Sequence, residues 1–364
     1  MKNEEMEQHA FIGTDSLDKL FLYLQEYTPK ELFLVRSKKS YETCGAKAVI
    51  DRFVAVLGCK VTEYYDFQEN PKVEDMERGL ALLHTTNSSV IVAIGGGSVL
   101  DMAKLIRFFY SYAGNPVGSS FKKKRELLSL IALPTTAGTG SEATHFAVLY
   151  KEKVKYSVEH DDMLPNYAIV YSPFTYNNNK YLTACTGFDA LAQAIEAYWN
   201  VNACEESDKY AEKAIQLLWP YLLQAVNAPT KDIRNKISEG AYWAGKAINI
   251  TKTTAPHAFS YPFTTYYGYP HGHAVALTFP YIAAINLATE DNRQKQIYSL
   301  LGIKGPLAVE DVFVKFISDI GLQKIGDKPF DHNLILSNIN LNRLKNNPVA
   351  IDKEMTINLI NRIK

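Results

Sequence analysis

The sequence predicts an α/β domain with a parallel sheet, followed by an all-α domain. Short β-branched runs alternate with helical patterns in the first half of the chain. Two of these runs end at loops rich in glycine or threonine. Beyond about residue 181, apolar residues recur at spacings of three and four. We therefore divide the 364 residues into an α/β domain at 1–180 and a helical domain at 181–364.

Strands and helices alternate along the first domain. The segment ELFLVRS at 31–37 predicts a strand, and a helix, a second strand and a second helix precede SVIVAIGGGS at 89–98. The run LLSLIALPTT at 127–136 predicts a further buried strand. This order is typical of a parallel sheet covered by helices on both faces. The loops after its strands should therefore lie at the carboxyl edge, where ligands bind.

The second domain is predicted to consist of amphipathic helices. The segments TGFDALAQAIEAYWN, SDKYAEKAIQLLWPYLLQAV and KISEGAYWAGKAINI carry apolar residues three and four positions apart. Helical patterns without strand alternation continue beyond about residue 305.

The composition excludes several classes of protein. Hydrophobic residues make up 47% of the chain and charged residues 21%, values that are too apolar for a disordered protein. Lysine plus arginine and aspartate plus glutamate both total 39, so the formal net charge is zero. We therefore expect no nucleic-acid partner and no membrane association. No stretch approaches the roughly 20 apolar residues that cross a bilayer.

The cysteines and the N-terminus favour a cytoplasmic protein. Cys44, Cys59, Cys185 and Cys204 are dispersed and form no C-x-x-C pair. The segment MKNEEMEQHA lacks the cationic start and apolar core of a signal peptide. We expect free thiols in a reducing compartment.

Two loops that follow predicted strands indicate a dinucleotide site. In AIGGGSVLDMAK at 93–104, three glycines lie between a strand and a helix, where backbone N–H groups favour a pyrophosphate, and Ser98 is the predicted N-cap. In PTTAGTGSEAT at 134–144, small hydroxyl side chains can contact a nicotinamide, a ribose or phosphates. A plain turn and a polar connecting loop are the alternatives, which the occurrence of both loops in one sheet disfavours. The residues expected to bind the cofactor are Gly95, Gly96, Gly97, Ser98, Asp101, Thr135, Thr136, Thr139 and Ser141.

A carboxylate and two distant histidines indicate a metal site. Asp189 lies near the start of a predicted helix, and His257 and His271 flank an aromatic stretch far downstream. Carboxylate and imidazole suit iron(II), zinc or manganese, and an open coordination position can accept a substrate oxygen. A lone histidine is more often a core or surface residue, but His257, His271 and His273 lie close together in a chain with 8 histidines.

Four segments together resemble the iron-containing, group III alcohol dehydrogenases. They are GGGSVLDMAK, LPTTAGTGSEAT, TGFDALAQAIEAY and PHAFSYPFTTYYGYPHGHAVA, in the same order across roughly residues 30–340. The resemblance implies a dehydroquinate synthase-like architecture, in which a Rossmann-like nucleotide-binding domain and a helical domain hold a divalent metal in their cleft. It also implies a homodimer or a higher homo-oligomer.

The resemblance assigns the metal ligands residue by residue. An aspartate, a histidine one turn later and two further histidines correspond to Asp189, Gln193, His257 and His271. Gln193 therefore replaces an imidazole by a weaker amide donor on the same helix face, where it can bind the metal, its water or the substrate. We expect an altered metal preference, with Fe²⁺, Zn²⁺, Mn²⁺ and Ni²⁺ all open.

The implied reaction is hydride transfer between a nicotinamide and an aldehyde or alcohol, with the metal polarising the oxygen. Tyr261 stands where many family members have another histidine. His273 and Tyr261 are the candidates for moving the proton. A supporting or surface role is the alternative for His273.

Cofactor preference depends on the end of the first predicted strand, VRSKKS at 35–40. Ser37 occupies the position where NAD-preferring members often have an aspartate. Because Arg36, Lys38 and Lys39 could attract a 2′-phosphate, we expect NADP(H) rather than NAD(H), with a solvated basic turn as the alternative. Lys155, in the segment VKYS, is also expected to bind the cofactor.

Lys246 and Lys252 lie close in sequence to His257 and suit an anionic substrate, unless both are simply solvated. The segments ATHFAVLY, VKYS and NITKTTAPHAFSYP resemble the phosphonoacetaldehyde reductase branch. This resemblance implies phosphonate metabolism and reduction of phosphonoacetaldehyde to 2-hydroxyethylphosphonate. Because Lys252 lies near the predicted metal ligands, we also expect it in the catalytic site. The alternatives are a general short-chain alcohol or aldehyde dehydrogenase, a dehydroquinate synthase-like cyclase acting as a lyase, and a non-catalytic protein.

Overall fold

The computed structural model describes residues 8–152, 154–288, 292–326 and 329–363. The chain divides into two compact units. The first unit runs to Thr136 and resumes over Gly140–Asn177, and the second comprises Ala137–Thr139 and the chain from Asn178 onward.

The first unit contains a parallel sheet with helices in its connections. Its strands are β1 (His9–Ile12), β2 (Glu31–Arg36), β3 (Lys60–Tyr64), β4 (Val90–Gly95), β5 (Tyr112–Ala113), β6 (Lys122–Lys123), β7 (Ser129–Pro134), β8 (Phe146–Lys151), β9 (Val154–Glu159) and β10 (Tyr167–Val170). Its helices are α1 (Ser16–Tyr27), α2 (Ser40–Thr43), α3 (Ala46–Leu57), α4 (Val73–Leu83) and α5 (Gly97–Ser111).

Over the described part of this unit, six strands pair in the order β1-β10-β7-β4-β2-β3, all parallel. The predicted parallel sheet is therefore confirmed. The sequence analysis did not predict β1, β10 or the antiparallel hairpin of β8 and β9. The central strands β2, β4 and β7 are apolar at consecutive positions and almost entirely buried, as a sheet with both faces covered requires.

The register of the sheet aligns the ends of its central strands. Gly95 of β4 lies opposite Pro134 of β7, and Arg36 of β2 lies opposite Ile94. The loops after β2, β4 and β7 therefore begin side by side at the carboxyl edge, as the sequence predicted.

The second unit is helical. Its helices are α6 (Lys180–Trp199), α7 (Glu205–Leu218), α8 (Leu222–Asn227), α9 (Lys231–Thr251), α10 (Ala255–Tyr267), α11 (His271–Asn286), α12 (Asn292–Leu301), α13 (Val309–Asp319), α14 (His332–Leu336), α15 (Leu341–Leu344) and α16 (Lys353–Arg362). Helix α6 is buried on nearly all sides, which explains its many alanines and its apolar composition. Within the described residues, no helix combines the length and the hydropathy that a bilayer span needs.

Candidate functional site

Helix α6 presents three buried polar side chains on one face. The helix begins where the Asn179 side chain accepts a hydrogen bond from the Leu182 N–H. Asp189, Gln193 and Glu196 follow at intervals of four and three residues, which place them on the same face, and all three are buried. Because a buried carboxylate needs compensating partners, this face requires donors or a cation from its neighbours.

The first turns of α10 and α11 supply the two histidines. His257 follows Pro256 in the first turn of α10, and His271 is the first residue of α11, directly after Pro270. A Cβ atom at Gly272 would lie 1.9 Å from the carbonyl oxygen of Cys185 on α6. Only glycine permits this approach, so Gly272 allows His271 to reach Asp189.

The three side chains converge closely enough to share a cation. Oδ1 of Asp189 lies 3.1 Å from Nε2 of His257 and 3.8 Å from Nε2 of His271. One ligand atom from each residue lies within 4.8 Å of the others. The side chains of Asp189 and His257 are 4% and 6% exposed, whereas that of His271 is 32% exposed, so the cluster is accessible from the side of His271.

Gln193 contributes an unsatisfied buried oxygen. Its Nε2 donates to the backbone oxygen of Thr139 at 3.4 Å, while its Oε1 is buried and has no hydrogen-bond partner in the described chain. A buried amide oxygen without a donor is unfavourable unless another ligand engages it. One carboxylate, two imidazoles and an amide oxygen suit a divalent cation, so the residues present fit the metal that the sequence predicts.

Glu196 is a buried carboxylate beside the candidate metal cluster that the sequence analysis missed. It is fully buried, and its Oε1 accepts a hydrogen bond from Nδ1 of His257. Burial alone would lower the pKa of His257, but the carboxylates of Glu196 and Asp189 outweigh it and raise this pKa to about 9. The spacing of seven residues from Asp189 on a predicted helix is the signal that could have indicated Glu196.

His273 has protein partners at both ring nitrogens. Its Nε2 donates to the backbone oxygen of Gln323 at 2.9 Å, and its Nδ1 accepts from the Tyr181 hydroxyl at 2.9 Å. The carbonyl can only accept, which fixes the proton on Nε2. Burial lowers the pKa of His273 below its ordinary value. This geometry favours a structural role at the start of α11.

Tyr261 and the two lysines lie in different settings. Tyr261 is half-buried on α10, one helical turn after His257. Lys246 lies on α9 with its Nζ 5.4 Å from the centre of the Tyr210 ring.

Lys252 follows the last residue of α9 with φ 65° and ψ −175°, a backbone conformation that is nearly restricted to glycine. Its carbonyl accepts from the Asn200 side chain at 3.1 Å, which holds this conformation in place.

The glycine loop of the first unit forms the predicted strand-to-helix turn. A Cβ atom at Gly95 would lie 2.4 Å from Val99, because the first turn of α5 packs directly on the end of β4. The prediction that Ser98 is the N-cap is wrong: Gly96 has the extended N-cap conformation, and α5 begins at Gly97. Ser98 instead accepts a hydrogen bond from the Asn70 N–H at 3.1 Å.

The threonine loop is tied to the first unit at its far end. The Thr135 N–H donates to the Gly95 carbonyl at 2.9 Å, which joins the two predicted cofactor loops. The buried Asp101 carboxylate accepts from the Ser141 hydroxyl at 2.5 Å and from the Val148 N–H at 2.9 Å. These two bonds fix the loop against α5. The cofactor contacts of these residues, of Thr136 and of Lys155 stay predictions. Lys155 lies opposite Tyr150 in the β8–β9 hairpin.

Local ion pairs engage two of the three cations at the end of β2 and in the turn that follows. Nη2 of Arg36 lies 2.7 Å from Oε2 of Glu63, and Nζ of Lys38 lies 2.9 Å from Oδ1 of Asp66. The Ser37 hydroxyl accepts from the Tyr41 N–H at 3.0 Å. Two of the three cations expected to attract a 2′-phosphate, Arg36 and Lys38, therefore have carboxylate partners within this unit.

The first unit has a parallel sheet with a glycine loop at its carboxyl edge. The helical unit gathers a carboxylate and two imidazoles around one point. Together these are the features of a metal-dependent, nicotinamide-linked oxidoreductase. The chain belongs to the iron-containing alcohol dehydrogenase family. The model of that family matches residues 8–172, and the model of its C-terminal domain matches residues 183–361. Membership supports an oxidoreductase that acts on a CH–OH group with a nicotinamide dinucleotide and a divalent metal.

Several named relatives cover most of the chain. Long-chain-alcohol dehydrogenase 1 of Geobacillus thermodenitrificans is 30% identical over 333 residues, which span 86% of this chain and 83% of the relative. The NADPH-dependent butanol dehydrogenase of Clostridium saccharobutylicum is 27% identical over 81% of this chain and 76% of its own length. The crystal structure of sulfoacetaldehyde reductase from Bifidobacterium kashiwanohense in complex with NAD+ is similar with a TM-score of 0.88 and 28% identity, covering 98% of this chain and 96% of that one.

Proposed function

We propose that the chain is a metal-dependent reductase of a short aldehyde that carries an anionic group. The proposed substrate is phosphonoacetaldehyde, and the proposed product is 2-hydroxyethylphosphonate. The observation that carries this proposal is the strained backbone of Lys252, a cationic residue between α9 and the helix that carries His257. Such strain costs about 1–3 kcal/mol and persists mainly at functional sites.

The similarity to a sulfoacetaldehyde reductase supports a substrate aldehyde that carries an anionic group. Sulfonate and phosphonate are both tetrahedral anions, and a lysine ammonium recognises either as a point charge. We assign this role to Lys252. We do not assign it to Lys246, whose ammonium lies over the Tyr210 ring.

Asp189, Gln193, His257 and His271 would hold the divalent metal, with iron(II) or zinc as the first candidates and manganese or nickel also compatible with these donors. The metal, when bound, supplies a Lewis acid for the carbonyl oxygen. Gln193 would contribute its Oε1, which is buried and lacks a protein donor in the described residues.

The proton for the developing alkoxide would come from the α10 side of the site. Tyr261 lies one turn after His257, so its hydroxyl is the better candidate. His273 is the weaker one, because both of its ring nitrogens already have protein partners. Lys252 would orient the anionic end of the substrate rather than transfer the proton.

The first unit would bind the dinucleotide at the ends of β2, β4 and β7. Backbone N–H groups of the glycine loop and the N-terminus of α5 favour the pyrophosphate. We propose NADPH as the preferred reductant, because Ser37 leaves no carboxylate to repel a 2′-phosphate at that position. The ion pairs of Arg36 and Lys38 weaken the electrostatic part of this preference.

We also propose a cytoplasmic location and a homodimer or higher homo-oligomer. The four cysteines, Cys44, Cys59, Cys185 and Cys204, are free thiols, which suits a reducing compartment. The oligomer is the state that the family resemblance implies.

A general aldehyde reductase of the same family is the second candidate. The similarity to a butanol dehydrogenase and a long-chain-alcohol dehydrogenase favours it, since these names specify alcohols without an anionic group.

The test compares substrates on the metal-reconstituted protein by following NADPH oxidation. Phosphonoacetaldehyde, sulfoacetaldehyde and butanal are run side by side, with NADH as the cofactor control. We expect kcat/KM for phosphonoacetaldehyde to exceed that for butanal about 100-fold, the size of one strong hydrogen bond to a charged group. Preferred turnover of butanal would contradict the acidic substrate, and no turnover of any aldehyde would contradict the reductase itself.

A further inference from the structure

The Glu196 carboxylate has an environment that the reaction does not by itself require. It is completely buried on α6. Its Oε2 accepts from the backbone N–H of Thr254 at 2.6 Å and from the hydroxyl of Thr254 at 2.8 Å, and its Oε1 accepts from Nδ1 of His257. Among the ion pairs of the described chain, only His257 faces this carboxylate.

The bond to His257 determines which ring nitrogen is available. A carboxylate can only accept, so the proton on that side of the ring stays on Nδ1. Nε2 is then the nitrogen that faces Asp189, at 3.1 Å. A carboxylate on the far nitrogen orients a ligating imidazole and increases its basicity.

The bonds to Thr254 place the same carboxylate at the start of α10. Thr254 is the N-cap residue of that helix, and its hydroxyl also accepts from Nε1 of Trp199 at 2.9 Å. Asn200, the next residue of the chain after Trp199, holds the carbonyl of Lys252. The C-terminal turn of α6 therefore fixes both the histidine and the segment that carries Lys252.

We propose that Glu196 is the positioning residue of the metal site, holding His257 through Nδ1 so that Nε2 is presented to the cation. This inference rests on the proposed function, because it requires the cation at Asp189, His257 and His271. It predicts an effect on metal affinity itself, and not only on turnover. A purely structural cap of α10 would affect folding and leave the affinity intact.

Two substitutions separate the two roles. Glu196→Gln keeps the volume and an acceptor for Thr254, but it turns an amide N–H toward Nδ1 of His257. The ring must then accept at Nδ1 and carry its proton on Nε2, where it blocks metal binding. Thr254→Val removes the hydroxyl bonds to Glu196 and Trp199 and leaves the contact between Glu196 and His257 untouched.

The experiment titrates the metal-free protein with Co²⁺ and measures the Kd and the visible ligand-field spectrum, with the far-ultraviolet circular dichroism as a check on folding. For Glu196→Gln we expect a Kd about 10- to 100-fold weaker and an altered spectrum. For Thr254→Val we expect a lower Tm and a Kd within about threefold of the wild type. If Glu196→Gln does not fold, Glu196→Asp replaces it, since a carboxylate one methylene shorter still accepts from Thr254 and should weaken Co²⁺ binding through the lost bond to Nδ1.

Wild-type Kd and spectrum in a folded Glu196→Gln protein would overturn the inference, as would equal losses of affinity in Glu196→Gln and Thr254→Val. The proposed function fails in a different way. In that case the wild type binds no Co²⁺, or His271→Ala binds it as tightly as the wild type does.

Discussion

The face of α6 and the turn after β2 both contain the charged residues that the sequence analysis singled out, but their charges are balanced differently. On α6, the buried carboxylates of Asp189 and Glu196 both contact His257, and Asp189 also lies 3.8 Å from His271. After β2, Arg36 and Lys38 each have a carboxylate of their own in Glu63 and Asp66. The first region is a buried cluster of two carboxylates and two imidazoles, whereas the second has two of its three cations in ion pairs, with Lys38 exposed and Arg36 mostly buried.

This difference shows when a charged residue in a sequence indicates a ligand-binding site and when it does not. Burying charged groups is costly, so buried carboxylates gathered with imidazoles around one point indicate a cation site. Exposed charge with a neighbour of opposite sign contributes little and indicates nothing about a ligand. We therefore expect substitutions on the α6 side to have large effects and those at the turn after β2 to have small ones.

The largest effect is expected for His271→Ala. Loss of a ligand removes most of the stabilisation of the developing alkoxide, several kcal/mol, and should lower kcat about 1,000-fold. The bound metal should fall in parallel, measured by elemental analysis after dialysis. His84→Ala, at the exposed end of α4, is the control and should behave as the wild type. Full activity of His271→Ala would show that the cluster does not serve the reaction.

Lys252→Met tests whether the ammonium of Lys252, the residue with the strained backbone, recognises the substrate. Methionine keeps an unbranched chain close to the length of the lysine methylenes and removes the ammonium. We expect kcat/KM for phosphonoacetaldehyde to fall about 10- to 100-fold, as for loss of a hydrogen bond to a charged group, with butanal unaffected. Lys246→Met is the matched control and should leave kcat/KM unchanged for both aldehydes. Equal losses for both aldehydes would indicate that Lys252 supports the fold of the site instead.

Ser37→Asp tests whether the turn after β2 selects the cofactor. A carboxylate at this position should repel the 2′-phosphate and shift the ratio of kcat/KM for NADPH over NADH about tenfold toward NADH. Ser37→Asn has the same shape without the charge, so it separates electrostatics from packing. If the ratio is the same in both variants and in the wild type, Ser37 does not lie beside the ribose.

Glu142→Gln provides a test on a buried acid of the first unit. Burial raises the pKa of Glu142 to about 7, against the attraction of Lys104. Because the folded state favours the protonated form, stability falls as the pH rises from the unfolded pKa near 4.5 to about 7 and is level above that. The variant should match the wild type at pH below this window and be more stable above it, by at most about 3 kcal/mol. Chemical denaturation at both ends of the window measures this, with the exposed Glu77→Gln as the control.

Much of the fold could be predicted because its signals are local. The strands β2, β4 and β7 are continuous apolar runs, and α6 and α9 have helical periodicity over many residues. The edge strand β1 could not be predicted in the same way, because its four residues are only partly buried and pair with β10, more than 150 positions away. Pairing at such separations depends on tertiary contacts that periodicity does not report.

The side chains of the candidate metal cluster could be predicted from the sequence, but most of the contacts that support them could not. Asp189, His257 and His271 could be identified by residue type and family motif. For Glu196 the sequence offers only its spacing of seven residues from Asp189, because its contacts with Thr254 and His257 lie 58 and 61 residues downstream. The neutralisation of Arg36 and Lys38 was missed for the same reason, because Glu63 and Asp66 lie on the neighbouring strand and its following turn.

The central claim is that Asp189, Gln193, His257 and His271 bind one divalent metal, and X-ray absorption at the metal edge tests it most directly. The spectrum of the wild type should show two imidazole ligands with oxygen donors in the remaining positions, and that of Gln193→His should show a third imidazole. Fewer than two imidazoles in the wild type, or an unchanged spectrum in Gln193→His, would contradict the assignment.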